Sequence, residues 1–231
     1  VDAYSISETG PVRRSATGPD RVALARFLAS TRAEGPGERT ALWVQGCAIR
    51  CPGCFNPQLW GFRGGELVAP AELVERVLAA GTEGVTLLGG EPFDQAGALA
   101  EVAAGVRRAG RSVMTFTGYT RDGLRRAVDS GREDVAALLA ETDLLVAGPF
   151  RADLVDTDRP WVGSTNQEFV LLDDRFPGLL DDLPHTPDRV EVTVDAAGRV
   201  SVNGWAEVDA LDELLASVGR PQRRSASAER R

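Results

Sequence analysis

Cys47, Cys51 and Cys54 fall within eight residues, and the chain has no other cysteine. An odd, tightly spaced set does not make a disulfide framework; it suits a metal or cluster site in a reducing compartment. Soft thiolates this close in sequence can share one iron–sulfur cluster or one zinc ion. Three ligands leave a structural zinc site one short, and the single histidine, His185, stands in a proline-flanked stretch far along the chain. A cubane held by three thiolates keeps one iron open to an external ligand. Ligand counting therefore favours the cluster, with zinc as the competing occupant.

Three further stretches combine strands with glycine and hydroxyls. Thr86-Leu87-Leu88-Gly89-Gly90-Glu91-Pro92 reads as an apolar strand running into two glycines, an acid and a proline. Glycine at the C-terminal end of a strand lets backbone approach a ligand, and open α/β sheets bind ligands at that edge. Gly89 and Gly90 can hold an amino-acid moiety and Glu91 a cationic ammonium, although the same residues also make a plain turn. Met114-Thr115-Phe116-Thr117-Gly118-Tyr119 repeats the pattern. Ser164-Thr165-Asn166-Gln167 precedes an apolar strand and either donates side-chain hydrogen bonds or shapes a turn.

The elements that must position these residues alternate. Strands are expected near Thr40–Gln45, Gly84–Leu88, Ser112–Thr117, Asp143–Ala147 and Glu168–Leu172, with amphipathic helices over Pro70–Ala80, Ala96–Ala109, Arg121–Val128 and Glu133–Ala140. Such alternation predicts an α/β fold with a largely parallel sheet. After a connection around Pro177–Pro187, Val190, Val192 and Val194 alternate, the chain turns at Ala197 and Gly198, and Val200 and Val202 resume. This is the pattern of a hairpin, followed by a short helix over Val208–Val218 and a polar tail over Arg220–Arg231.

Composition narrows the function. The 231 residues carry a net charge of −8, and all 26 basic residues are arginine, so lysine enters no catalytic argument. Nucleic acid is not an expected partner, because a polyanion needs clustered basic charge. No apolar run reaches the roughly 18 to 20 residues that span a bilayer, so no membrane partner is expected and the protein is read as cytoplasmic.

Between about Gly35 and Leu172 the chain resembles the radical S-adenosylmethionine (SAM) superfamily, specifically the small activating proteins of anaerobic ribonucleotide reductase and related single-cluster proteins. The phrases that carry the resemblance are Glu34-Gly35-Pro36-Gly37, Val44-Gln45-Gly46-Cys47, Cys51-Pro52-Gly53-Cys54-Phe55-Asn56-Pro57, Gly89-Gly90-Glu91-Pro92-Phe93, Thr115-Phe116-Thr117-Gly118-Tyr119, Gly148-Pro149-Phe150 and Ser164-Thr165-Asn166-Gln167. The resemblance implies a 4Fe-4S cluster on Cys47, Cys51 and Cys54 whose open iron binds SAM. It also implies reductive cleavage of SAM to a 5'-deoxyadenosyl radical, with no general acid or base required. Gly89, Gly90 and Glu91 would line the SAM amino group, Thr117 and Gly118 would lie near the ribose, and Gly53 and Phe55 beside the adenine.

The implied fold is a partial (β/α) barrel with a C-terminal β-hairpin and helix. Residues 1–20 would be a polar N-terminal segment, 21–176 the barrel, 177–219 the appended hairpin and helix, and 220–231 a flexible tail. The implied partners are a large protein or peptide substrate and a reductant such as flavodoxin or ferredoxin. The leading expectation is an activase that makes a glycyl radical on a ribonucleotide-reductase-like partner. Modification of a peptide or small metabolite is the first alternative, and a non-catalytic iron–sulfur or zinc module the second.

Overall fold

Apolar segments too short and too β-branched for helices, joined by amphipathic stretches, produce the alternating α/β chain that the sequence predicts. A computed structural model describes residues 10–13, 18, 20–187, 189–194, 197–198 and 200–204. In order come β1 (Val22–Thr31), β2 (Arg39–Val44), β3 (Glu66–Val68), α1 (Pro70–Ala80), β4 (Gly84–Gly89), α2 (Ala96–Arg108), β5 (Ser112–Thr117), α3 (Arg121–Asp129), α4 (Glu133–Ala140), β6 (Leu144–Ala147), β7 (Glu168–Leu171), α5 (Leu179–Asp182), β8 (Val190–Val194) and β9 (Val200–Gly204).

Seven strands form one sheet in the order β3-β1-β2-β4-β5-β6-β7, and β8 pairs with β9 separately. The central run β2-β4-β5-β6 is parallel, whereas β1 runs antiparallel to β2 and β7 to β6. Parallel strands need long crossovers, and the helices supply them. α1 shows how: Pro70 opens its first turn, Leu73 and Val77 bury one stripe, and Gly81 ends it in the left-handed conformation (φ 75°) while donating to the Leu78 carbonyl. One sheet face packs on α1 and α2 through Leu42, Leu87, Leu99 and Val106. The other face carries Trp43, Leu88 and Met114.

Arg39 braces the base of the sheet. Fully buried, it donates from Nε to Thr86 Oγ1 (2.7 Å), from Nη2 to the Val85 carbonyl (2.6 Å) and from Nη1 to Ser112 Oγ (2.9 Å), so β2, β4 and β5 start level. Burial lowers its pKa to about 10, and the guanidinium is made tolerable there by these acceptors.

The expected strands and helices lie within a residue of those observed at each described end, and β8–β9 is the expected hairpin. Its docking is specific: Glu191 accepts from Thr31 Oγ1 (2.5 Å) and the Arg32 amide (2.8 Å), and Asn203 donates to Thr31 Oγ1 (2.8 Å). Two strands, β1 and β3, add to the expectation, and the connection after Pro177 contains α5 and a 3-10 turn over Leu183–His185. The expected helix over Val208–Val218 and the tail over Arg220–Arg231 lie outside the described residues. Within the N-terminal segment, Val12 is buried in the main core. No helix among the described residues is long and apolar enough to cross a membrane.

Candidate cluster and cofactor site

All four parallel strands deliver chemistry at the same edge: β2 into Cys47, β4 into Gly90 and Glu91, β5 into Gly118, and β6 into Gly148. That is the edge where open α/β sheets bind ligands. The cysteine loop is folded by its own backbone. Gly46 donates to the Leu59 carbonyl (2.8 Å), Cys47 to Trp60 (3.3 Å) and Cys54 to Cys51 (3.1 Å), and the Asn56 amide donates to Cys54 Sγ (3.4 Å).

Two hydrogen bonds staple the β4 exit to this loop, from Gly90 N to the Val44 carbonyl and from Glu91 N to the Gly46 carbonyl, each 2.8 Å. The approach is so close that a Cβ on Gly90 would stand 2.2 Å from the Gly46 carbonyl oxygen. Glycine is required here by contact, as the sequence pattern suggests.

Glu91 ties β4 to β5. Its Oε1 accepts from the Phe93 amide (2.9 Å) and Thr117 Oγ1 (2.8 Å), and its Oε2 from the Gly118 amide (2.8 Å). Beyond β6, Gln167 Oε1 accepts from the Gly163 and Ser164 amides (2.9 and 3.1 Å) while its Nε2 donates to the Gly148 carbonyl (3.3 Å). Ser164-Thr165-Asn166-Gln167 does both things expected of it: it turns on the Gln167 amide to Ser164 carbonyl bond, and Asn166 Nδ2 and Gln167 Nε2 donate to the Pro149 and Gly148 carbonyls.

A cavity of about 130 Å³ gathers Cys47, Cys51 and Cys54 with Gly89, Gly90, Glu91, Thr117 and Gly118. Gly53 and Phe55 lie outside it. Phe55 instead lines an adjoining cavity of about 220 Å³ with Trp43, Phe116, Phe150 and Trp161, and the two cavities share Gly89, Phe116, Phe150 and Gln167. Gly53 turns the loop at φ 77°. The sequence reading did not assign Ile49, Phe116, Gly148, Phe150 or Gln167 to the site; the end of the fourth parallel strand was the available cue. A larger groove of about 840 Å³ between α3 and β7 holds no thiol and lies away from this chemistry.

Electrostatics define what the cavity can take. Burial, then Glu91, pushes the Cys47 thiol up to about 12, and burial pushes Cys51 up to about 11. Burial, then Asp94, pushes Glu91 up to about 8 despite its three donors. No arginine or histidine lines the cavity. The metal-free site is therefore short of positive charge, which a thiolate-bound metal or a cationic ligand brings. Among the described residues no three His, Cys, Asp or Glu side chains converge as ligands of one metal ion. Three soft donors lining one cavity are the donor set that an iron–sulfur cluster takes.

Linkage gives a test of Glu91. A carboxyl that holds its proton more tightly folded than unfolded adds stability below 4.5, and that stability is lost as pH rises through about 8. The unfolding midpoint of the metal-free chain is expected to fall between about pH 5 and about pH 8. The slope should flatten in Glu91→Gln; equal slopes in both proteins would count against this carboxylate.

Residues 33–170 match the model described as the 4Fe-4S single cluster domain. The chain is 32% identical over 144 residues to the anaerobic ribonucleoside-triphosphate reductase-activating protein of Salmonella typhi, covering 58% of this chain and 88% of that one. It is 33% identical over 144 residues to the protein of the same description from Vibrio cholerae, with 58% and 87% covered. Among solved structures, QueE from Escherichia coli aligns at a TM-score of 0.38 and 17% identity, over 44% of this chain and 53% of that one.

Proposed function

Because this chain belongs to the 4Fe-4S single cluster domain family, we propose that it is a radical SAM activating enzyme whose partner is a large ribonucleotide-reductase-like protein. The observation that carries the reading is the shared cavity: three thiols, two strand-end glycines and a buried acid, with no cationic side chain among them. Held there and reduced, a 4Fe-4S cluster would supply the electron for reductive cleavage of SAM to methionine and a 5'-deoxyadenosyl radical, the oxidant that would take hydrogen from a glycine of the partner.

The chain's own residues bind, orient and shield. Cys47, Cys51 and Cys54 would hold the cluster by three thiolates, leaving it a position for an external ligand. Gly89 and Gly90 offer backbone at the amino-acid end of SAM, and Glu91 adds negative charge for its ammonium while fixing Thr117 and Gly118 toward the ribose. The Phe55 ring, tilted against Phe150 with centroids 5.1 Å apart, and the Gly53 turn border the adenine side. Curvature of the sheet into a partial barrel belongs to the same reading, with the aromatic cavity facing the incoming glycine. A small exposed carrier suits a macromolecular substrate, whose own surface completes the enclosure.

The test is anaerobic reconstitution with iron and sulfide, reduction by dithionite, and incubation with SAM. Equimolar 5'-deoxyadenosine and methionine are expected, and addition of an anaerobic ribonucleotide reductase should yield a glycyl radical by electron paramagnetic resonance. A preparation with four irons per chain that forms no 5'-deoxyadenosine would end the enzyme reading. Product without a glycyl radical would redirect it to another substrate.

A further inference from the structure

Residues 10–13 precede the matched family span, yet they reach both neighbours of Cys47. Val12 is buried in the main core at 8% exposure. Arg132, at the start of α4 and itself paired with Asp134 (2.7 Å), donates from Nη1 to the Val12 carbonyl and from Nη2 to the Arg13 carbonyl (3.0 Å). From this anchored position two chains of contact lead to the first cysteine.

On one side the Arg13 amide donates to Tyr119 Oη (3.2 Å), Tyr119 donates to Asp94 Oδ1 (2.8 Å), and Asp94 Oδ2 accepts from the Ala48 amide (2.8 Å). Tyr119 and Asp94 are 1% and 2% exposed, so the bond between them is shielded from solvent. On the other side the Arg13 guanidinium lies over the Phe62 ring at 4.2 Å. Phe62 in turn packs on Gly46, where a Cβ would meet its Cδ1 at 2.6 Å. Gly46 and Ala48 flank Cys47.

We propose that residues 10–13 act as a strap that positions Cys47, with Arg13, Tyr119 and Asp94 as positioning residues gripping the cysteine from both flanks. The proposal rests on reading Cys47 as a cluster ligand. Ligands held by such outer partners lose about 10- to 100-fold in metal affinity when the partner is removed. Asp94 acts on Cys47 through the Ala48 peptide, whose amide donates to it.

Two readouts separate the strap from the cluster. In the metal-free full chain, alkylation by iodoacetamide, resolved per cysteine by mass spectrometry, should be about tenfold faster at Cys47 in Tyr119→Phe. It should be severalfold faster in Arg13→Ala and unchanged at Cys54 in both. In the double variant the two effects should combine to less than their product, because both act through one strap. Cys47 rates within twofold of the parent, Cys47 and Cys54 accelerating together, or a fully multiplicative double variant would each overturn the strap.

In the cluster-loaded chain, iron release to a chelator should accelerate in parallel, and Tyr119→Phe should alter the electron paramagnetic resonance line shape of the reduced cluster. Faster Cys47 labelling with unchanged iron release and line shape would overturn the positioning role. Should the parent chain load no cluster, the reading of Cys47 as a ligand fails, while the labelling test still decides the strap. Arg13 is exposed, so Arg13→Ala stays informative even where Tyr119→Phe disturbs the core.

Discussion

Replacing Cys51 with alanine is expected to reduce iron loading to background and 5'-deoxyadenosine formation by at least about 100-fold, the upper end of what loss of a mere outer partner costs. Cys51 is the middle donor of the loop, 9% exposed, and it lines the cavity beside Cys47 and Cys54. Two remaining thiols leave two irons without protein ligands, and nothing else around the cavity replaces them: its other lining side chains are apolar, amide, hydroxyl or the fully bonded Glu91. The metal-free fold should survive, because removing one sulfur from a site already bordered by a cavity costs about 1 to 2 kcal/mol. Iron analysis and product chromatography on the same preparation decide the matter. A Cys51→Ala chain that keeps four irons and forms product would remove the triad from the mechanism, and the same variant with an unfolded far-ultraviolet spectrum would call for Cys54→Ala, whose sulfur is less buried.

What could be read from the sequence was what residue type alone constrains. Thiols have few structural uses in a cluster of three, and glycines at strand ends announce backbone contact, so Cys47, Cys51, Cys54, Gly89 and Gly90 were visible before any fold. The period of the helices was equally plain, as Leu73 and Val77 of α1 illustrate. β1 was not, because its pairing with β2 is broken by register shifts between Leu24 and Arg26 and between Leu28 and Thr31. Its place is set by a distant side chain: Gln95 accepts from the Ala23 amide (2.7 Å) and donates to the Gln45 carbonyl (2.9 Å). Gln167, Asp94 and Tyr119 were hidden for the same reason. Their bonds Gln167–Gly148, Tyr119–Asp94 and Asp94–Ala48 span 19, 25 and 46 residues, and no local pattern encodes such a bond.

Glu91 shows how the two levels meet. By type it reads as a counter-charge for an ammonium, yet its oxygens are engaged by Phe93, Thr117 and Gly118. Once a cationic ligand favours its ionised form, the negative charge reaches the cavity as a field, while the carboxyl group itself fixes the β5 exit. Both roles need the acid, and they predict different variants: glutamine turns an amide N–H₂ toward at least one donor and disturbs the tie, whereas alanine removes tie and charge together.

Gly90→Ala carries the largest effect expected of a change that touches no charged or sulfur atom. The added Cβ would stand 2.2 Å from the Gly46 oxygen, 2.8 Å from the Gly46 carbonyl carbon and 2.9 Å from the Val44 oxygen, all backbone. None of these can turn aside as a side chain would, so the β4 exit must move off the cysteine loop. With it go the bonds from Gly90 N to Val44 and from Glu91 N to Gly46. Two lost buried bonds and overpacking together cost about 2 to 4 kcal/mol, and SAM affinity should fall more than tenfold as the backbone platform shifts. Gly118→Ala offers a graded comparison: its Cβ meets Ile49 Cδ1 at 2.7 Å, the tip of a flexible side chain, so a smaller loss is expected. Gly61→Ala meets nothing within 4 Å and should behave as the parent. Equilibrium binding of SAM to the loaded chain, with thermal unfolding alongside, orders the three. If Gly90→Ala bound SAM as tightly as Gly61→Ala, the strand-end glycines would be turn residues only, and the SAM amino-acid end would have to be sought elsewhere along the edge.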